Sequence, residues 1–259
     1  MSCIQMKLDD AVTDPNLRKI DEWVMNVQST RNRHMSIYST SAETIYARII
    51  GDGVFYTDDT YTTELGTTAT LTQAQGGHLY LGAGEYNVLL SNKYNVRNIE
   101  SLQNSYDFAH STSIDCKYLG YSNTWMTLNL NGVKLLNFPQ FAIDKVDNFR
   151  LYNCGLDCDI SVFVNKILPT TTLQRFIVQD NSLMGDATEL GSIHAFVNSP
   201  DNALVSLRGS GMTGTYDEFC DKLFAAGKTS GTLQVHMPED PSGDGTYTIT
   251  FSANGWTRA

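Results

Sequence analysis

The chain has no long hydrophobic run and few cationic side chains. None of its apolar stretches approaches the roughly 18 residues that a membrane-spanning helix needs, and Lys7, Asp9 and Asp10 interrupt its start. No basic segment followed by an apolar core opens the sequence, so no secretory signal is read there. Lys and Arg total 18 against 28 Asp and Glu, a formal charge of −10 over 259 residues. A broad nucleic-acid face, which needs clustered cations against phosphate, is disfavoured. Five cysteines is an odd number, which argues against a closed disulfide framework. Buried reduced thiols are expected instead, and with the missing signal they point to synthesis in a reducing compartment. Hydrophobic residues make up 41% and charged residues 18%, enough to build a substantial core and to exclude global disorder.

Three segments are read along the chain: a helical docking segment at 1–36, a small antiparallel β unit at 37–110, and a repeat region with a terminal cap at 111–259. In the first, Asp14 suits an N-cap and Pro15 the first helical position. Leu17, Ile20, Val24 and Val27 then recur with helical spacing, predicting one apolar stripe that ends near Gln28. That stripe packs on its own domain or docks on a partner subunit, so these four are the candidate oligomer-docking residues. In the second segment Ile45, Ala47 and Ile49 alternate with other residues, and Gly51-Asp52-Gly53 supplies a turn. Gly82-Ala83-Gly84 reads as a hairpin connection between His78–Leu81 and Tyr86–Leu90.

The third segment carries an internal pattern. Trp125, Leu128, Leu130, Val133 and Leu135 share their spacing with Val146, Phe149, Leu151, Cys154 and Leu156, and again with Leu173, Phe176, Val178, Asn181 and Leu183. A looser copy is Asn202, Val205, Leu207, Ser210 and Met212, and Leu233 with Val235 reads as the strand of a fifth. From Leu128 through Phe149, Phe176 and Val205 to Leu233 the steps are 21, 27, 29 and 28 residues. The copies containing Cys154 and Asn181 resemble leucine-rich repeats, whose consensus accepts Cys or Asn at that position. The resemblance implies short strands in a curved parallel sheet, with the Asn or Cys bonding the turning backbone. The expected fold class is therefore mixed α/β and β-rich: a short, irregular leucine-rich-repeat-like solenoid with an N-terminal helix, a small antiparallel β unit and a C-terminal capping strand. Gly84–Ser91 echoes Gly245–Ser252, and both are read as capping strands at the solenoid ends.

Motifs for chemistry are sparse. Residues 209–214 match G-x-G-x-x-G between an expected strand and an expected helix over Tyr216–Ala226, but they fall in phase with the repeat and read as a repeat turn rather than a nucleotide site. Cys154 and Cys158 have no second pair at finger-like spacing. His34, His78, His110, His194 and His236 are scattered, and no nucleophile elbow, metalloprotease motif or P-loop occurs. Asp58-Asp59 and Asp217-Glu218 read as a solvated loop and a helix start. No catalytic, cofactor-binding or metal residue is assigned, no cofactor is expected, and Trp256 is the one candidate ligand contact.

The expectation is accordingly a non-catalytic structural or binding protein. The Thr-, Asn-, Tyr- and Gly-rich texture resembles repeat proteins of gut Bacteroidales bacteria and their crAss-like phages. Bacterial relatives of this style normally carry an export signal, and since none is read here, an acidic chain with reduced thiols and a docking helix is expected to be a phage virion component (a head or tail fibre, or a decoration protein) assembled in the host cytoplasm. Its partners would be further copies of itself, other virion proteins and a host surface protein or glycan, with no nucleic acid and no membrane insertion. The alternatives are a bacterial module binding protein or glycan, at the cell surface if an export signal was removed, and an unrecognised hydrolase.

Overall fold

A computed structural model describes residues 23–29, 35–39, 42–73, 76–91, 98–101, 112–115, 127–137, 147–164, 173–208, 211–238 and 246–259. Two mixed sheets organise them. The six-stranded sheet contains β1 (Trp23–Ser29), β3 (Ile45–Gly51), β6 (Thr68–Leu71), β8 (Gly84–Leu90), β10 (Thr112–Asp115) and β12 (Val133–Leu136), in the order β12-β10-β1-β8-β3-β6. The twelve-stranded sheet contains β2 (Met35–Tyr38), β4 (Phe55–Tyr56), β5 (Glu64–Gly66), β7 (His78–Leu81), β9 (Asn98–Ser101), β11 (Thr127–Asn131), β13 (Asn148–Tyr152), β14 (Arg175–Ile177), β15 (Ala203–Ser206), β16 (Gly231–His236), β17 (Tyr247–Ser252) and β18 (Gly255–Arg258). Its order is β18-β17-β16-β15-β14-β13-β11-β9-β2-β7-β4-β5.

The strands of the long sheet from β9 to β16 run parallel, and those at both ends run antiparallel. One cross-strand line joins Leu79, Ile37, Ile99, Leu128, Phe149, Phe176, Val205 and Val235. All eight are buried, as alternation demands of a strand with one face on the core. The inward residues of both sheets, including Val27, Tyr86, Val88 and Ile114 of the shorter one, belong to one hydrophobic cluster. Both sheets draw strands from either side of residue 110.

Helix is scarce among the described residues. It comprises α1 (Ser161–Val164), a 3₁₀ turn (Ala187–Ser192), α2 (His194–Val197) and α3 (Tyr216–Ala225). Only α3 is long, and Thr215 with Glu218 closes its N-terminus in a reciprocal capping box. Beneath the parallel strands Phe176 stacks on Phe149 with centroids 5.5 Å apart, and Phe163 and Phe196 meet it edge-on, each at 5.4 Å.

Four expectations are corrected. The leucine-rich-repeat-like solenoid is replaced by two mixed sheets. Apolar spacing of 20 to 30 residues reports only that a strand returns to the core, which a parallel ladder inside a larger mixed sheet also satisfies. The N-terminal helix gives way, over residues 23–29, to β1, which pairs with both β8 and β10. Two strands on either side outweigh a helical spacing of valines that suit a strand equally well. The hairpin at Gly82-Ala83-Gly84 is instead a passage from one sheet to the other, since β7 and β8 lie in different sheets. Gly51-Asp52-Gly53 makes a second passage alongside, from β3 to β4. Asp52 N–H donates to the Glu85 carbonyl at 3.1 Å and Gly82 N–H to the Val54 carbonyl at 3.1 Å. The two chains approach so closely that a Cβ on Gly53 would lie 2.1 Å from the Tyr86 ring, and Gly84 adopts φ +138°. Last, β8 caps nothing: it lies between β1 and β3, whereas β17 and β18 do close one end of the long sheet.

Candidate functional site

The alternate residues of the long sheet build its other face, which is buried at Ser36, Ile177, Ser206 and His236 and half-exposed at Tyr56, Tyr80, Glu100, Asn129 and Arg150. Along one line Tyr56, Tyr80, Ser36, Glu100, Asn129 and Arg150 are cross-strand partners. Along the next, His78 pairs with Tyr38 and Asn148 with Arg175. The rings are continuous. Tyr38 and His78 lie 4.4 Å apart, His78 and Tyr80 stack at 5.6 Å, and Tyr61 meets Tyr80 at 6.4 Å and Tyr56 at 5.1 Å. All five rings are half-buried.

Tyr61 is held there against backbone preference. Its φ is +57°, and the four other non-glycine residues with positive φ among the described residues are Asn137, Asn153, Asp180 and Asn202. Asn and Asp tolerate the left-handed region, while a bulky aromatic there costs of order 1–3 kcal/mol. Asp58 supplies the compensation. Its carboxylate accepts the backbone N–H of Thr60 at 3.1 Å, of Thr62 at 3.0 Å and of Thr63 at 2.9 Å, and also the hydroxyls of Thr60 and Thr62. These bonds, led by the Thr60 hydroxyl, hold the Asp58 carboxyl well below its ordinary value of 3.8. With the folded-state value below the unfolded one, this support is complete above the ordinary value and is lost as pH falls through the folded-state value. Asp58→Ala is expected to strip amide-exchange protection from Thr60, Thr62 and Thr63 at neutral pH and to leave the protection of β13 unchanged. Unaltered protection in the loop would refute this role for the carboxylate.

Electrostatics divides the face. Burial lowers the His78 pKa below 6.5, an effect that Glu100 opposes, and burial raises the Tyr61 and Tyr80 phenols. Towards the other side stand Arg150 and Arg175 on neighbouring strands. Arg150 Nη2 reaches Asn148 Oδ1 at 3.4 Å, and its buried Nε has no hydrogen-bond partner among the described residues. No described carboxylate lies within ion-pair distance of either guanidinium; burial, and after it the neighbouring Arg175, disfavours the Arg150 charge, while Tyr152 and Glu100 favour it.

The residues expected from sequence are distributed elsewhere. Leu17 and Ile20 lie outside the described residues. Val24 and Val27 sit on β1, where Val27 is wholly buried in its own chain's core. Trp256 is half-buried against the core, and its indole N–H donates to Asp221 Oδ1 at 2.8 Å. The three described thiols are free: Cys154 and Cys220 are buried and Cys158 is half-buried. Burial pushes them up to about 12, about 12 and about 11 respectively, the opposite of what a nucleophile needs. His78 and His236 stand on β7 and β16, seven strand spacings apart, and no group of three metal-binding side chains occurs among the described residues. In the glycine-rich stretch, Gly214 abuts Asp186 and Thr188, while Glu218 occupies the α3 N-terminus. Two carboxylates there oppose a phosphate.

Sequence reasoning passes over the Tyr61 loop and the arginine pair. Thr at two, four and five residues after Asp58 signals a carboxylate cage, and the non-core positions of the alternation, including Tyr80 and Arg150, already spell out the face. No family model matches the chain, and neither a curated protein nor a solved structure matches it.

Proposed function

We propose that the chain is a non-catalytic structural and binding protein, a phage virion component of the fibre or decoration kind, and that the outward face of its long sheet is the surface it presents. The observation that carries the reading is Tyr61: a bulky aromatic kept at positive φ by a dedicated carboxylate cage, with its ring continuing a row of four others. Strain maintained at one exposed loop points to a recognition role rather than to stability. The raised thiols of Cys154, Cys158 and Cys220 speak against a cysteine nucleophile at those three positions. Aromatic anchors dominate recognition surfaces, where truncating one commonly costs about 2 kcal/mol or more, roughly thirtyfold in affinity.

The test has two arms. Labelled full chain is titrated onto cells of gut Bacteroidales isolates, comparing the native sequence with Tyr61→Ser and Tyr80→Ser. Loss of at least tenfold in apparent affinity is expected from each substitution, and equal binding by all three would sink the assignment of the face. Antibodies raised to the chain are expected to decorate intact phage particles in electron micrographs. Lysates containing the chain but no decorated particle would defeat the virion assignment.

A further inference from the structure

We infer that the ligand of this face is a carboxylate-bearing oligosaccharide laid across the strands, its sugar rings on the tyrosine and histidine row and its acidic groups at Arg150 and Arg175. The inference rests on the reading of the outward face as the binding face and adds the chemistry of what binds.

Dimensions come first. From β14, which carries Arg175, to β4, which carries Tyr56, the sheet order makes six strand spacings. At about 4.8 Å each this spans roughly 29 Å, the reach of several linked sugar rings rather than of one small molecule. Charge comes next. On a chain of formal charge −10, two guanidiniums stand on adjacent strands with no described carboxylate in ion-pair range. A carboxylate set between the two guanidiniums would offset their mutual repulsion, and arginine's fork suits a carboxylate in particular.

The class of ligand follows from what the face withholds. A bound peptide is gripped through aliphatic pockets as well as aromatic ones. The large hydrophobics exposed among the described residues are Leu65 and Met184, and neither lies on the strands of the band. The face offers rings and planar amides. Rings pack against the C–H faces of sugars, and planar polar groups such as that of Asn129 meet hydroxyls edge-on.

The experiment is calorimetric titration of the full chain with an oligogalacturonate and with the same oligomer fully methyl-esterified, which keeps the rings and removes the charges. The acid form is expected to bind at least ten times more tightly than the ester and to weaken as salt rises, because exposed ion pairs are screened. Arg150→Gln combined with Arg175→Gln should bring the acid form down to the level of the ester. Tyr61→Ser should weaken both forms, with thermal melts verifying that each variant is folded. Failure of the acid form to bind, equal binding of acid and ester, or an unaffected double arginine variant would each overturn the inference. So would polyglutamate displacing the sugar at equal carboxylate concentration, since the site would then read charge alone. If the oligosaccharides fail while cell binding still depends on Tyr61, the ligand class falls and the face stands. If cell binding ignores Tyr61 and Tyr80, the face itself falls.

Discussion

Asn181→Leu is expected to cost about 4 kcal/mol, enough to threaten folding in a chain whose whole stability is of order 5–15 kcal/mol. Asn181 is 5% exposed. Its Oδ1 accepts the N–H groups of Cys154 at 2.9 Å and Leu156 at 3.3 Å, and its Nδ2 donates to the carbonyls of Leu151 and Gln179, each at 2.9 Å. All four bonds go to backbone groups where the chain leaves β13 and β14. Leucine matches the side chain in size but pairs with none of them. Each buried group left unpaired costs about 1–3 kcal/mol before relaxation. Asn181→Asp keeps the acceptor, loses both donors and buries a charge, so it should also destabilise. Urea unfolding followed by tryptophan fluorescence measures both, and a loss below about 1 kcal/mol for the leucine variant would show that the turn does not depend on this amide.

Phe176→Ala comes next, at about 3–5 kcal/mol by the usual cost of emptying a buried phenylalanine site. Phe176 is wholly buried, and three rings converge on it from β13, α1 and α2. Rings are rigid and cannot fold into the space, so the cavity persists. Phe176→Leu should cost less, about 1–2 kcal/mol, because most of the volume remains. The same urea titration decides, with m-values confirming that both variants unfold from a folded state. Residues 176 and 181 lie on one strand and the turn that follows, so the double variant should depart from additivity. Additive losses would mean that strand and turn respond independently.

Much of the strand register is legible in the amino-acid sequence. Leu128, Phe149, Phe176 and Val205, related by spacing alone, are direct cross-strand partners. The next step slips by two residues: Val205 pairs with Val235 rather than Leu233. A shift of two keeps the same face inward, which is why apolar alternation does not detect it. Architecture is less legible. The pattern around Val24 and Val27 fits a helix as well as a strand, and only the presence of β8 and β10 on either side decides. The glycines at 51, 53, 82 and 84 are recognisable as breaks in the strands, but a break does not say whether the chain turns back or crosses to another sheet. The candidate site is hidden for a related reason. Attention to the apolar positions finds the core, whereas the side chains of the opposite face occupy the intervening positions that such a reading discards.

The paired passages at Gly51–Gly53 and Gly82–Gly84 have a mechanical consequence. Each sheet is threaded into the other twice within a few residues, and the two threads are hydrogen-bonded to one another. A pull that peels β4 and β7 from the long sheet is transmitted through covalent bonds to β3 and β8, which lie side by side in the other. The two layers are therefore clamped at one corner, and shear applied there is shared between both hydrogen-bond networks rather than opening one of them rung by rung. Force spectroscopy with handles on either layer should record a single rupture.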